Sequence, residues 1–90
     1  MKKALVSVIG VDRMGIIAKV STALFEMNIN VLELSQTILD DYFTMLMIVD
    51  LSSATEPFNV ISARLAETGK AMGETITIQS TDIFEAMHRI

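Results

Sequence analysis

The 90-residue chain has no cysteine, one proline and one histidine. Without cysteine there is no disulfide, no thiol nucleophile and no cysteine-based metal site. The one histidine, His88, stands two residues from the end. Nucleophilic chemistry needs a base beside the nucleophile, and a metal site needs three or four converging ligands. His88 and Glu85 supply two groups at most, so no metal, no cofactor and no catalytic residue is expected, and His88 reads as a surface residue. Adjacent carboxylates occur at Asp40-Asp41, where a turn between two strand-like runs accounts for them.

Positive charge is also scarce. Seven Lys and Arg face eleven Asp and Glu, for a net charge of −4, and the basic residues are scattered along the chain. A nucleic-acid or anionic-membrane surface needs a basic face, so neither partner is expected. No apolar run approaches the roughly 18 residues of a membrane span. Lys2-Lys3 followed by an apolar stretch imitates a signal peptide, but Asp12 and Arg13 interrupt it and no small-residue cleavage site follows. A cytoplasmic protein is expected.

Apolar residues are abundant: 51% of the sequence, with mean hydropathy +0.49. A chain this short buries only roughly 60–65% of its unfolded surface. Some apolar surface should therefore be covered by a partner, and a homodimer or higher homo-oligomer is the simplest arrangement.

The periodicities predict one domain over residues 1–90. A β-branched run over 4–9 ends at Gly10 and reads as a strand. Ile16, Val20, Ala23, Leu24 and Met27 recur at helical spacing, and Asn28 suits the left-handed residue that closes such a helix. Residues 30–39 read as a strand with Leu32, Leu34 and Ile38 on one face and Val31, Glu33, Ser35 and Thr37 on the other. After the Asp40-Asp41 turn, residues 42–51 form a strand apolar on both sides, as if covered twice. A second helix follows, capped by Thr55, lined by Phe58, Ile61, Leu65 and Met72, and stopped by Gly73. Residues 75–79 alternate as a fourth strand, with Ile76 and Ile78 facing in. Asp82 and Glu85 then have capping-box spacing for a short C-terminal helix bearing Ile83, Phe84, Met87 and Ile90. The order βαββαβ predicts an α+β, ferredoxin-like sandwich: a four-stranded antiparallel sheet with two helices on one face and a short helix at the end.

That fold hosts many functions, so the function must come from a site. A copper or mercury carrier lacks its cysteine pair here. An RNA-binding sheet lacks aromatics on the first strand and has the wrong charge. An acylphosphatase-like loop would have only Arg13, at unmatched spacing. One segment stands apart: Gly10-Val11-Asp12-Arg13-Met14-Gly15-Ile16, between a strand end and a helix start. Asp12 could cap the helix by accepting from the N–H of Met14 or Gly15. Gly10 permits a sharp exit from the strand, and Gly15 lets a backbone or ligand come close. Free N–H groups and the positive helix end favour a carboxylate. A capped turn with glycines for packing explains the same residues, and Arg13 reads equally well as a solvated side chain.

The pattern Gly10-x-Asp12-Arg13-x-Gly15-Ile16 after a first strand resembles the signature loop of the ACT-domain family. The match continues through Phe25-Glu26-Met27-Asn28-Ile29-Asn30, then Glu33-Leu34-Ser35-Gln36-Thr37, and the terminal residues 83–90. Over nearly its whole length the chain looks like the small stand-alone ACT proteins of the UPF0237 group. It is also similar to the regulatory module of formyltetrahydrofolate deformylases and to glycine cleavage repressor-type proteins. The resemblance implies a regulatory domain, not an enzyme, that binds a small effector such as an amino acid between paired domains. Carried over by position, Gly10, Asp12, Arg13, Met14, Gly15 and Ile16 would form the ligand loop, with Asn28 and Asn30 near the pocket of a partner copy. A ligand-free interaction module, regulating a separate enzyme or regulator through its sheet face and tail, is the alternative.

Overall fold

Ala4, Val6 and Val8 alternate with Leu5, Ser7 and Ile9, and this period of two builds the first strand and gives it one buried face. The computed structural model describes residues 2–11 and 14–81. Its elements are β1 (Lys3–Val11), α1 (Ile16–Glu26), β2 (Asn30–Leu39), β3 (Tyr42–Asp50), α2 (Phe58–Met72) and β4 (Glu74–Ser80). The sheet order is β2-β3-β1-β4 with every neighbour antiparallel. This is the expected βαββαβ, ferredoxin-like sandwich. The expected C-terminal helix over 82–90 lies outside the described residues.

Register explains the core. Val6 lies between Met47 and Ile78, and Val8 between Met45 and Ile76, so alternate residues of three strands share one side of the sheet. Ile16, Val20, Ala23 and Leu24 of α1 and Ile61, Leu65 and Met72 of α2 close over that side as one continuous cluster. Phe58, expected on the buried side of α2, is 38% exposed at its first turn.

Helix ends are set by backbone geometry more than by side-chain caps. α1 closes as the Asn28 position suggests: Asn28 has φ 58°, its N–H donates to Phe25 O, and Ile29 N–H donates to Leu24 O. That double bond, with Ile29 and Leu24 both buried, is a Schellman closure. Gly73, with φ 75°, closes α2 as expected. Thr55 does not cap α2. The extended Pro57 occupies the cap position, and both N–H and Oγ1 of Thr55 donate to Met27 O, tying the loop to the end of α1.

Two expectations about the strands are corrected. In β2 a bulge at Leu32 shifts the pairing, so Val31 lies opposite Val49 and Leu34 opposite Met47. Val31, Leu34, Gln36 and Ile38 therefore share the helix side, and Glu33, Ser35 and Thr37 the other. β3 is covered once, not twice. Phe43, Met45, Met47 and Val49 are buried under the helices, whereas Leu46 on the opposite side is 43% exposed.

Candidate functional site

β1 runs past Gly10 to Val11, and Gly10 is a paired strand residue rather than the strand's exit. A side chain there would collide with its neighbour in β4. A Cβ on Gly10 would lie 2.5 Å from Glu74 Oε2. Glu74 is itself 5% exposed, a carboxylate folded onto the backbone just before the loop. Glycine at position 10 thus makes room for this buried acid.

α1 begins at Gly15, which holds the left-handed conformation φ 83°, ψ 7°. The cap position falls on this glycine, which makes no side-chain cap hydrogen bond, and the expected capping residue Asp12 lies outside the described residues. Lys19 N–H donates to Gly15 O at 3.0 Å. The first three helical N–H groups have no intrahelical acceptor by geometry. The first turn also holds no acidic residue. Among the described residues the first turn therefore supplies no counter-charge to the positive end of the helix. Beside Gly15 there is open space: among the described residues, its chain neighbours aside, no atom lies within 4 Å of where a Cβ would stand.

That space is the mouth of a cavity of about 270 Å³. Gly15, Ile16, Ile17 and Ala18 of α1 form one wall, Gln36 and Ile38 of β2 the other, and Phe43 of β3 the floor. Ile16 and Phe43 are buried, whereas Ile38 is 58% exposed at the cavity's outer rim. The arrangement offers backbone donors for a small anion, one neutral amide for a polar group and an apolar floor for a short side chain.

The other expected site residues fall elsewhere. Met14 is fully exposed and borders a separate cavity with Lys19 and Gly73. Asn28 and Asn30 line a third cavity, with Phe25, Ile29 and Ser53, at the far end of α1. An eleven-residue helix separates the two ends by about 16 Å. Asn28 Nδ2 also donates to Ser53 O at 2.9 Å. Within one chain the structure joins Gly15 and Ile16 to β2 and leaves Asn28 and Asn30 apart from them. Asp12 and Arg13 lie outside the described residues. A wider groove of about 400 Å³ runs between the outer faces of α1 and α2, bridged at one end by the Arg64–Glu26 ion pair. Among the described residues no three His, Asp or Glu side chains are grouped to hold a metal ion, and no helix is long and apolar enough to cross a membrane.

Gln36, Ile38 and Glu74 were not expected at the site. For Glu74 a signal existed: it stands in phase with the inward Ile76 and Ile78. Gln36 and Ile38 reach the cavity because they stand opposite Met45 and Phe43, on the helix side of the sheet.

A fold of this kind, with a loop-to-helix cavity beside the sheet edge, is the architecture of a known class, and a family model for the ACT domain matches residues 2–79. The chain belongs to the ACT domain family, a family of regulatory ligand-binding domains. Its relatives within that family are UPF0237 proteins. One from Clostridium acetobutylicum is 49% identical over 88 residues, covering 98% of this chain and 99% of the relative. The solved ACT domain protein from Streptococcus pneumoniae superposes with a TM-score of 0.83 at 38% identity, covering 93% of this chain and 94% of that one. A formyltetrahydrofolate deformylase from Pseudomonas syringae shares the fold, with a TM-score of 0.82 at 19% identity over 90% of this chain and 28% of its own.

Proposed function

We propose that this protein is a non-catalytic cytoplasmic sensor, a single ACT unit that binds a small carboxylate, an amino acid first among them, between two copies of itself. One observation carries the reading: the cavity at the uncapped start of α1 shares a wall with β2, an edge strand whose outer side is uncovered. The ligand carboxylate would sit on the N–H groups after Gly15, with Gly10 at the end of β1 and Asp12, Arg13 and Met14 between them in the sequence. Its side chain would rest on Ile16 and Phe43. A second copy beside β2 would close the rim and bring its own Asn28 and Asn30 toward the ligand's amino group. Binding across such an interface favours one arrangement of subunits by its differential affinity, which is the whole of the regulatory mechanism required.

A thermal-shift screen against the twenty amino acids and common metabolic carboxylates tests this. A ligand at 100 times its dissociation constant stabilises the fold by about 2.7 kcal/mol, enough to raise the melting point by several degrees. The expected result is a specific hit whose shift is reduced by Gln36→Leu, with the ligand-free melting point kept within about 1 °C because that position is exposed. A full panel with no response supports the alternative, a ligand-free interaction module. The uncovered apolar residues of β2 speak for that second reading.

A further inference from the structure

The two helices do not fill the space between them. Packed helices ordinarily interlock their side chains, ridge into groove. Here Thr22 and Ala23 of α1 face Thr68 and Ala71 of α2, and such short side chains leave a groove of about 400 Å³ open between the helices. Ala23 and Met72, both buried, form its floor. Its length is roughly 10–12 Å, the rise of α1 from Lys19 to Glu26 and of α2 from Arg64 to Met72. The groove lies on the α2 side of α1 and the cavity at Gly15 on the β2 side, with Ala18 on the ridge between them.

The polarity of the groove sits at its ends. Thr22 Oγ1 donates to Ala18 O at 2.8 Å and Thr68 Oγ1 to Arg64 O at 2.9 Å, so both hydroxyl protons are used within their own helices and the middle of the groove is apolar. At one end Arg64 Nη2 donates to Glu26 Oε1 across the two helices. Among the described residues neither side chain makes a further hydrogen bond. A guanidinium has five N–H donors and a carboxylate two oxygens. The pair therefore keeps most of its donors and one whole oxygen for another molecule. Its side chains are 40% and 53% exposed, which makes it a weak clamp for the helices by itself. Lys19 stands at the other end, and Glu26 is the one acid among the described residues that line the groove.

We propose that this groove is a second ligand site, for a small zwitterion whose two charges are adjacent and are followed by a straight apolar chain. The ligand carboxylate takes the remaining N–H groups of Arg64, whose planar fork suits two-point contact with a carboxylate. The ligand ammonium takes Glu26 Oε2. Opposite charges side by side on the protein select opposite charges side by side on the ligand. A molecule with the carboxylate alone sets it against Glu26, and one with the ammonium alone sets it against Arg64, like charge against like in both cases. The apolar chain lies along Ala23 and Ala71 toward Met72. Lys19 at the far end rejects a chain that ends in a second cation. The site is built within one chain and does not depend on the ligand or the pairing proposed for the start of α1.

Titration of the full chain with L-norleucine, followed by two-dimensional amide NMR, tests the proposal. Hexanoate and pentylamine serve as the same molecule lacking one charge. Norleucine is expected to give saturable shifts at the amides of Thr22, Ala23, Arg64 and Thr68. Hexanoate, pentylamine and lysine are expected to bind at least roughly tenfold more weakly. Glu26→Gln and, as a second variant, Arg64→Gln are expected to weaken norleucine by a similar factor, with the dispersed spectrum showing that the fold is kept, and Gln36→Leu is expected to leave its affinity unchanged. Hexanoate or pentylamine binding as tightly as norleucine overturns the zwitterion. Unchanged norleucine affinity in both charge variants overturns it as well and leaves the ion pair a clamp between helices. Shifts confined to residues 15–18 and 36–38 overturn the groove site and support the cavity at the start of α1 instead. No saturable shift at any amide overturns the groove site alone, because the cavity at α1 is judged by the whole panel of amino acids and carboxylates.

Discussion

β2 and β3 are hydrogen-bonded neighbours of similar apolar content, yet they meet opposite fates. On the helix side, Phe43, Met45, Met47 and Val49 of β3 are buried. On the same side Leu34 and Ile38 of β2 stand 45% and 58% exposed, although each lies directly opposite a buried residue, Met47 and Phe43. The two helices reach across three strands and stop short of the fourth. An apolar residue in a strand therefore reports that something will cover it, without saying whether the cover is the chain's own helix or another molecule.

The sharpest break of this comparison is a pair of truncations one strand apart. Met47→Ala removes a fully buried side chain and should cost about 2–5 kcal/mol, read by urea denaturation. Leu34→Ala, its cross-strand partner, should cost less than about 1 kcal/mol at concentrations where the chain is dissociated. A Leu34 penalty as large as that of Met47 in dilute protein would mean that β2 is covered within the single chain.

A smaller effect sharpens the same contrast with one methyl group. Gly69 lies inside α2 and is buried, and a Cβ there would stand 2.6 Å from Glu74 O and 2.8 Å from Ile76 Cγ1. Glycine is what allows the helix to approach β4. Gly69→Ala gains about 1 kcal/mol of helix propensity but should still destabilise, by roughly 1–3 kcal/mol net, because backbone must move. Ser35→Thr adds one methyl to exposed β2 and should change stability by less than about 0.5 kcal/mol. A neutral Gly69→Ala in chemical denaturation would show that the helix–sheet contact can give.

The covered half of the molecule was also the more legible half. The alternation of Val6 with Val8 and of Ile76 with Ile78, and the helical spacing of Ile16, Val20 and Leu24, follow directly from burial against one surface, so the element order and most of the core could be read from period alone. The uncovered strand misled. Its bulge at Leu32 has no signature residue, and without it Val31 falls on the wrong side. Side-chain caps misled for a related reason. Thr55 has the right chemistry, but Pro57 holds the cap position of α2 with its extended backbone, and Thr55 is drawn instead to Met27 O across the chain. For the site, the glycines drew attention to the segment, of which Gly10 proved a strand residue and Gly15 the cap of α1. The opposite wall, Gln36 and Ile38, depends on the register of a strand that begins fifteen residues after Gly15, which no local pattern encodes.

The smallest expected effect lies at the border between the two regions, at the end of β3. Asp50 Oδ1 accepts from Ser52 N–H at 2.9 Å, and the Ser52 hydroxyl and N–H together hold the Asp50 carboxyl below the usual carboxylate range. Hydrogen bonds to the ionised form favour it, so the folded-state pKa lies below the unfolded one. The linked stability is then fully present above the unfolded-state carboxylate pKa and is lost as pH falls through the lower folded-state value. Because Asp50 is in contact with solvent, the effect should be visible in the titration of its own carboxyl carbon by NMR rather than in the melting curve. Ser52→Ala removes the hydroxyl and keeps the N–H, so the Asp50 midpoint should rise part of the way toward its unfolded value. It should also free Lys2 N–H from Ser52 Oγ, which accepts it at 3.2 Å, loosening the start of β1. A midpoint unmoved by Ser52→Ala would transfer the whole of the depression to the backbone donor and the neighbouring Lys3, whose charge acts in the same direction.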